Sequence, residues 1–163
     1  MKRALFVSAA AGVIAGTLDI TYAIVVYGAL GVPSARIFQS IASGLLGAAA
    51  YDGGIATALL GGVLHFSIAI VMAAGYLAFS LWVGRMRSAP LFSGFVYGVC
   101  LFLVMYLVVV PLSASSVTMP SGWLMVGALF AHTVLVGIPI AAVVRYLATG
   151  RGQLRDLGGT PLE

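Results

Sequence analysis

Charge is what this chain has least of. Asp, Glu, Lys and Arg make up 7% of its 163 residues against 62% hydrophobic residues, and the mean hydropathy is +1.15. Soluble globular chains are about 25% charged and about 45–50% apolar. A water-soluble domain with so few charges could not cover its own surface, so that class is excluded and lipid is the solvent that fits. Cysteine is nearly absent too. Cys100 is the only one and lies in an apolar run, which excludes an intrachain disulfide framework and leaves the thiol a packing role. The chain also lacks a phosphate loop, a nucleophile elbow, paired cysteine ligands and a metalloprotease helix, so nothing in it marks an enzyme. The net charge of +4 does not point to nucleic acid. The bases sit at the ends of apolar runs, where Lys and Arg set membrane orientation.

What the chain has is apolar length. A spanning helix needs about 20 mostly apolar residues, and four such runs occur at about 4–30, 55–83, 90–111 and 121–145. The stretch Pro33–Ala50 is shorter. Ile37, Ile41, Leu45 and Ala48 fall on one helical face, with Ser34, Gln39, Ser40 and Ser43 elsewhere. It therefore reads as an amphipathic interfacial or re-entrant helix rather than a fifth span. Asp52, in the turn Tyr51-Asp52-Gly53-Gly54, is placed to cap the next helix. The expected fold class is an all-α integral membrane protein, a four-helix transmembrane bundle with one amphipathic or re-entrant helix over about 33–50. Residues 1–149 read as one transmembrane domain and residues 150–163 as a flexible cytoplasmic tail. The start Met1-Lys2-Arg3 also resembles that of a signal peptide, but the apolar run behind it is too long for one.

Basic residues give the orientation. Lys2, Arg3, Arg85, Arg87, Arg145, Arg151 and Arg155 fall on one side of the bundle and only Arg36 on the other, a split of seven to one. The positive-inside rule then puts both termini in the cytoplasm. Trp82 and Trp123 fall near opposite ends of the bundle, as interfacial anchors do. A parallel duplication is also visible. The first and third spans carry the pairs Gly12/Gly16 and Gly94/Gly98, and the second and fourth carry one histidine each.

Three ionisable residues lie inside the spans: Asp19, His65 and His132. Such groups are costly in hydrocarbon and face the bundle interior or a water-filled cavity. Each lies 10 or 11 residues from the end of its span on the Arg36 side, roughly 15–17 Å deep at 1.5 Å per residue, near the midplane. Asp19 shares its helical stripe with Gly12 and Gly16, small residues that let a partner helix approach. Gly61 and Gly62 precede His65 by one turn and are expected to leave open space there. Gly137 and Pro139 can loosen the helix after His132. Each polar group also has an architectural reading. Asp19 can accept hydrogen bonds from Thr17, Thr21 or a tyrosine, either histidine can bond a neighbouring helix, and the tyrosines read as packing residues.

Several of these stretches resemble a group of small bacterial inner-membrane proteins of unknown function. The residues that carry the resemblance are Ala15-Gly16-Thr17-Leu18-Asp19, the segment Arg36–Gly47, the Gly61/His65 pair and Val109-Val110-Pro111-Leu112-Ser113. More distantly the layout is similar to YagU-like proteins. The resemblance covers most of residues 8–145. It implies a bacterial inner-membrane location and carries over no catalytic role.

Three functions follow, in order. The first is a small transporter or channel for protons or ions, with Asp19 as the ion-binding group and His65 and His132 as relay partners. Its pathway is expected to need a dimer, with the Gly12/Gly16 or Gly94/Gly98 face as interface. The second is a redox or metal protein. His65 and His132 would ligate haem iron beside the space at Gly61, or join Asp19 in a two-His, one-carboxylate transition-metal site. The third is a non-catalytic membrane partner with Asp19 as interhelical glue.

Overall fold

A computed structural model of the protein describes residues 2–148. The expected tail, residues 150–163, lies outside the described residues. The helices are α1 (Lys2–Ala29), α2 (Ser34–Leu46), α3 (Gly54–Trp82), the single turn α4 (Arg85–Ser88), α5 (Pro90–Leu112) and α6 (Gly122–Ala148). No strand occurs among the described residues. Helices α1, α3, α5 and α6 have 28, 29, 23 and 27 residues, about 34–44 Å at 1.5 Å per residue, enough to cross a hydrocarbon core of about 30 Å. Their outward side chains are apolar along the length, as at Leu59, Val63 and Val71 of α3, each at least 64% exposed. A surface of that kind needs lipid against it. The chain is a multi-pass membrane protein. With 13 residues, α2 reaches about 20 Å and is no fifth span.

The turns follow from local chemistry. After α1 the chain reverses at Gly31, whose φ of 85° suits a residue without a side chain. Pro33 then stands in extended conformation just before α2. Asp52 does not cap α3. No side-chain bond closes that end, and the chain enters the helix through Gly53 and through Gly54 at φ 57°. A glycine at positive φ lets the chain turn sharply without a cap.

The spans associate as two close pairs, each joined at glycines. In the first pair, a Cβ on Gly12 of α1 would lie 2.5 Å from the Ile70 Cα of α3, and one on Gly16 would lie 3.1 Å from Phe66 and Ala69. In the second, a Cβ on Gly98 of α5 would strike the His132 carbonyl of α6, and Gly94 and Gly137 meet backbone to backbone. In each pair a glycine-pair helix thus packs on a histidine helix, the alternation seen in the sequence. It also means that neither glycine face is free. The expected dimer interface on Gly12/Gly16 or Gly94/Gly98 is already filled inside the single chain.

Two spans widen to π-helical turns, at Met105–Val109 of α5 and Ala131–Gly137 of α6. Each widening ends two residues before a proline, Pro111 or Pro139. A proline ring clashes with the carbonyl four residues back and donates no hydrogen bond, so the preceding turn relaxes. Such turns often mark functional positions.

The buried face of α2 is mixed: Gln39 and Ser43 turn inward beside Ile37 and Ala42, while Leu45 is 64% exposed. The Gln39 Nε2 donates to the Gly54 carbonyl at 3.0 Å, and the Ser43 hydroxyl meets that of Ser115 at 2.9 Å. The Ala114 amide donates to the Gly44 carbonyl at 2.9 Å. In an apolar solvent polar groups must find partners inside the protein, so these two side chains turn toward the bundle. α2 packs onto α3 where a Cβ on Gly61 would strike the Phe38 carbonyl. Gly61 lies seven residues into α3, about 10 Å below its start. α2 therefore dips beside α3 and links it to the 113–115 loop.

On the α4 side a second cavity of about 590 Å³ lies between the end of α3, α4 and the start of α5, lined by residues that include Phe79, Met86, Phe92 and Cys100, while the middle of the bundle is closely packed. Val7, Ala11, Ala15, Ala73, Tyr76, Leu77, Ile140 and Val144 form its centre. Its polar groups are mostly paired, with the Tyr76 hydroxyl 2.8 Å from that of Ser93 and the Tyr97 hydroxyl donating to the Met72 carbonyl at 2.7 Å. Arg87 folds in beside this layer, its Nη1 buried without a hydrogen-bond partner among the described residues.

The glycine contacts can be tested against a glycine that touches nothing. Gly61→Ala and Gly98→Ala should each cost about 1–3 kcal/mol through overpacking. Gly28→Ala in α1, with no atom within 4 Å of the added Cβ, should be neutral or gain up to about 1 kcal/mol. Thermal unfolding in detergent followed by circular dichroism measures both. Equal losses at all three positions would contradict the packing described.

Candidate functional site: a cavity closed at one end

Above the packed middle the helices part around a cavity of about 560 Å³. Asp19, His65 and His132 all line it, from three different spans. The periodicity of the helices explains why. On α1 the lining residues Gly16, Asp19, Ala23 and Tyr27 recur every three or four positions, and on α3 so do His65, Ile68 and Met72. The widened turn of α5 adds Met105 and Tyr106, and that of α6 adds His132 and Val136. Both departures from α-helix thus supply wall residues. Val32, Arg36, Tyr51 and Val117 form the mouth on the α2 side, and Gly16, Met72 and Val136 form the deep end. Directly beneath lie Ala15, Ala73 and Val136 of the packed core. The cavity opens on the α2 side and is blind on the other.

Each histidine is oriented by one backbone carbonyl. The His65 Nε2–H donates to the Gly16 carbonyl of α1 at 2.8 Å. This bond joins the first helix pair next to the glycine contact. The His132 Nδ1–H donates to the Ala128 carbonyl of its own helix at 2.9 Å. Its ring lies edge-on to Phe102 at 5.7 Å and 6.1 Å from Tyr106. Among the described residues each imidazole has one nitrogen without a hydrogen bond, His65 the Nδ1 and His132 the Nε2.

Asp19 differs. Its carboxylate makes no hydrogen bond and no ion pair among the described residues. Thr17, an expected donor to it, instead bonds the Val13 carbonyl at 2.7 Å. Asp19 is half-buried, and none of its oxygens is a sealed, unsatisfied atom. The architectural reading, in which Asp19 locks the bundle through hydrogen bonds, is not what the side chain does. It faces the cavity.

The geometry bears on the metal and haem readings as well. Among the described residues no three His, Cys, Asp or Glu side chains are grouped closely enough to hold one ion, so Asp19, His65 and His132 share a cavity without forming a ligand triad. The space expected at Gly61 for a porphyrin is filled by the Phe38 backbone of α2. The Nε2 of His65 is already committed to Gly16.

Three residues without an expected site role also line the cavity: Tyr27 and Tyr106, which read as packing residues, and Arg36, which reads as an orientation signal. The Arg36 guanidinium donates to the Tyr51 carbonyl at 3.1 Å and stacks 4.8 Å from the Tyr51 ring. Tyr27 was legible, since it lies two turns after Asp19 on the same face. Tyr106 was not, because the widened turn shifts the register of its helix. Cys100, expected to be packed, is exposed and lines the second cavity on the α4 side.

Cysteine labelling tests the one-sided opening. In a Cys100→Ser background, Ser40→Cys at the cavity wall should react with a water-soluble maleimide added from the α2 side. Ala73→Cys beneath the floor should stay unreactive. Labelling of both, or of Ala73→Cys alone, would contradict a cavity closed at that end. Comparison with protein families, curated proteins and solved structures gives no match to this chain.

Proposed function

We propose that this protein is a small bacterial inner-membrane transporter for protons or ions, with Asp19 as the group that takes up the transported species. The observation that carries the reading is the Asp19 carboxylate. It lines a cavity shared with both intramembrane histidines and has no protein partner among the described residues. An ionisable side chain held unpaired inside a membrane is costly, and pathways and relays are where such groups occur. His65 and His132 are the relay partners, each with one free ring nitrogen able to accept a proton. The blind floor supports a carrier that opens alternately to the two sides rather than a continuous pore. The widened turns next to Pro111 and Pro139 are places where α5 and α6 can flex. The inner-membrane location follows the resemblance to small bacterial membrane proteins. The seven-to-one split of basic residues supports cytoplasmic termini and a cavity mouth on the external face. Haem or metal binding has less support, since the three side chains do not close on one point.

Proteoliposome flux is the test. Asp19→Asn keeps the size of the side chain and removes its charge, and it should reduce proton-coupled flux by about tenfold or more, the scale of losing a charged hydrogen-bonding group. Asp19→Glu should retain most of it. Unchanged flux in Asp19→Asn would remove the proposed role.

A further inference from the structure

We infer that the ligand of this cavity is a monovalent organic cation with an apolar body, its charged head held at Asp19. The inference rests on the transport reading and narrows its substrate class. Size comes first. At about 560 Å³ the space falls within the range of about 300–1,000 Å³ typical of small-molecule sites. A bare inorganic cation needs several oxygen ligands at about 2.0–2.6 Å to replace its water. Here Asp19 is the only carboxylate in the wall, and no three His, Cys, Asp or Glu side chains of the described residues close on one point. The rest of the deep wall is mainly aliphatic, including Ile20, Ile68, Met105 and Val136. Such a wall does nothing for a small hydrated ion and favours an apolar body.

Charge decides the sign. The one other charged residue in the lining is Arg36, and it sits at the mouth with its guanidinium stacked on and bonded to Tyr51. Deeper in, an anion would meet the Asp19 carboxylate, and a neutral ligand would leave that carboxylate unpaired in low dielectric. A cation pairs it. The free nitrogens of His65 and His132 add acceptors for ammonium N–H groups. Tyr27 and Tyr106 place aromatic rings in the same wall, and such faces attract organic cations.

The test uses two probes of the same shape and opposite charge, tetraphenylphosphonium and tetraphenylborate, with the purified full chain in detergent. Equilibrium dialysis should show saturable binding of tetraphenylphosphonium and none of tetraphenylborate. Asp19→Asn should weaken tetraphenylphosphonium about tenfold or more, and Asp19→Glu should restore it. Ile68→Trp, which fills the wall and keeps Asp19, should weaken it as well, with folding of each variant checked by circular dichroism and gel filtration. Equal binding of the two probes, no saturable binding of tetraphenylphosphonium, or wild-type affinity in folded Asp19→Asn would each overturn the inference. Loss of proton flux in Asp19→Asn without tetraphenylphosphonium binding to the wild type would sink the organic cation and leave proton handling intact. Asp19-dependent binding with unchanged flux would sink transport and leave the binding site.

Discussion

A polar group in hydrocarbon has no water to bond, so every one must find a partner inside the protein or stand in a space that admits water. Most of this molecule obeys the first alternative. Gln39 and Ser43 of α2 turn away from the lipid to reach Gly54 and Ser115, while Leu45 faces outward. Tyr76, Ser93 and Tyr97 close on one another and on backbone carbonyls. His65 bonds α1 and His132 bonds its own helix. Asp19 follows the second alternative, and the cavity is the space it stands in.

The cavity exists because the bundle packs differently along its length. In its middle, alanines at Ala11, Ala15, Ala73 and Ala141 let the spans close around Tyr76 and Ile140. Toward α2 the two widened turns line the cavity instead. The glycine contacts set where one regime gives way to the other. Gly16 touches Phe66 and Ala69, and Gly98 touches the backbone at His132 and Thr133, so each helix pair has a close contact beside a cavity residue.

Much of the fold was legible because lipid imposes a simple rule on composition. Length and hydropathy marked four spans, and Pro33–Ala50 was too short and too polar to be another. The amphipathic pattern of α2 was legible, but not that Gln39 and Ser43 would be buried beside Ile37, since that depends on the helices it packs against. Asp52 was misread as a cap because the rule that supplies caps does not see that Gly54 can take a positive φ. Within the site, three ionisable residues stood out against an apolar background and their depths matched, but whether they met depended on which faces the helices present to one another. Tyr106 could not be reached in this way, since a π-helical turn changes which residues share a face.

The sequence by itself determined that the chain lives in a bilayer, how many times it crosses, and which ionisable side chains are carried into the hydrocarbon. These depend on composition and spacing along one helix at a time, and each helix satisfies its own backbone. Only the tertiary structure decided which faces meet, that both glycine pairs are used inside the chain, that the room expected at Gly61 is filled by α2, and that the cavity is open at one end. Those outcomes depend on how side chains from different helices fit, and a one-residue shift at a widened turn is enough to change them.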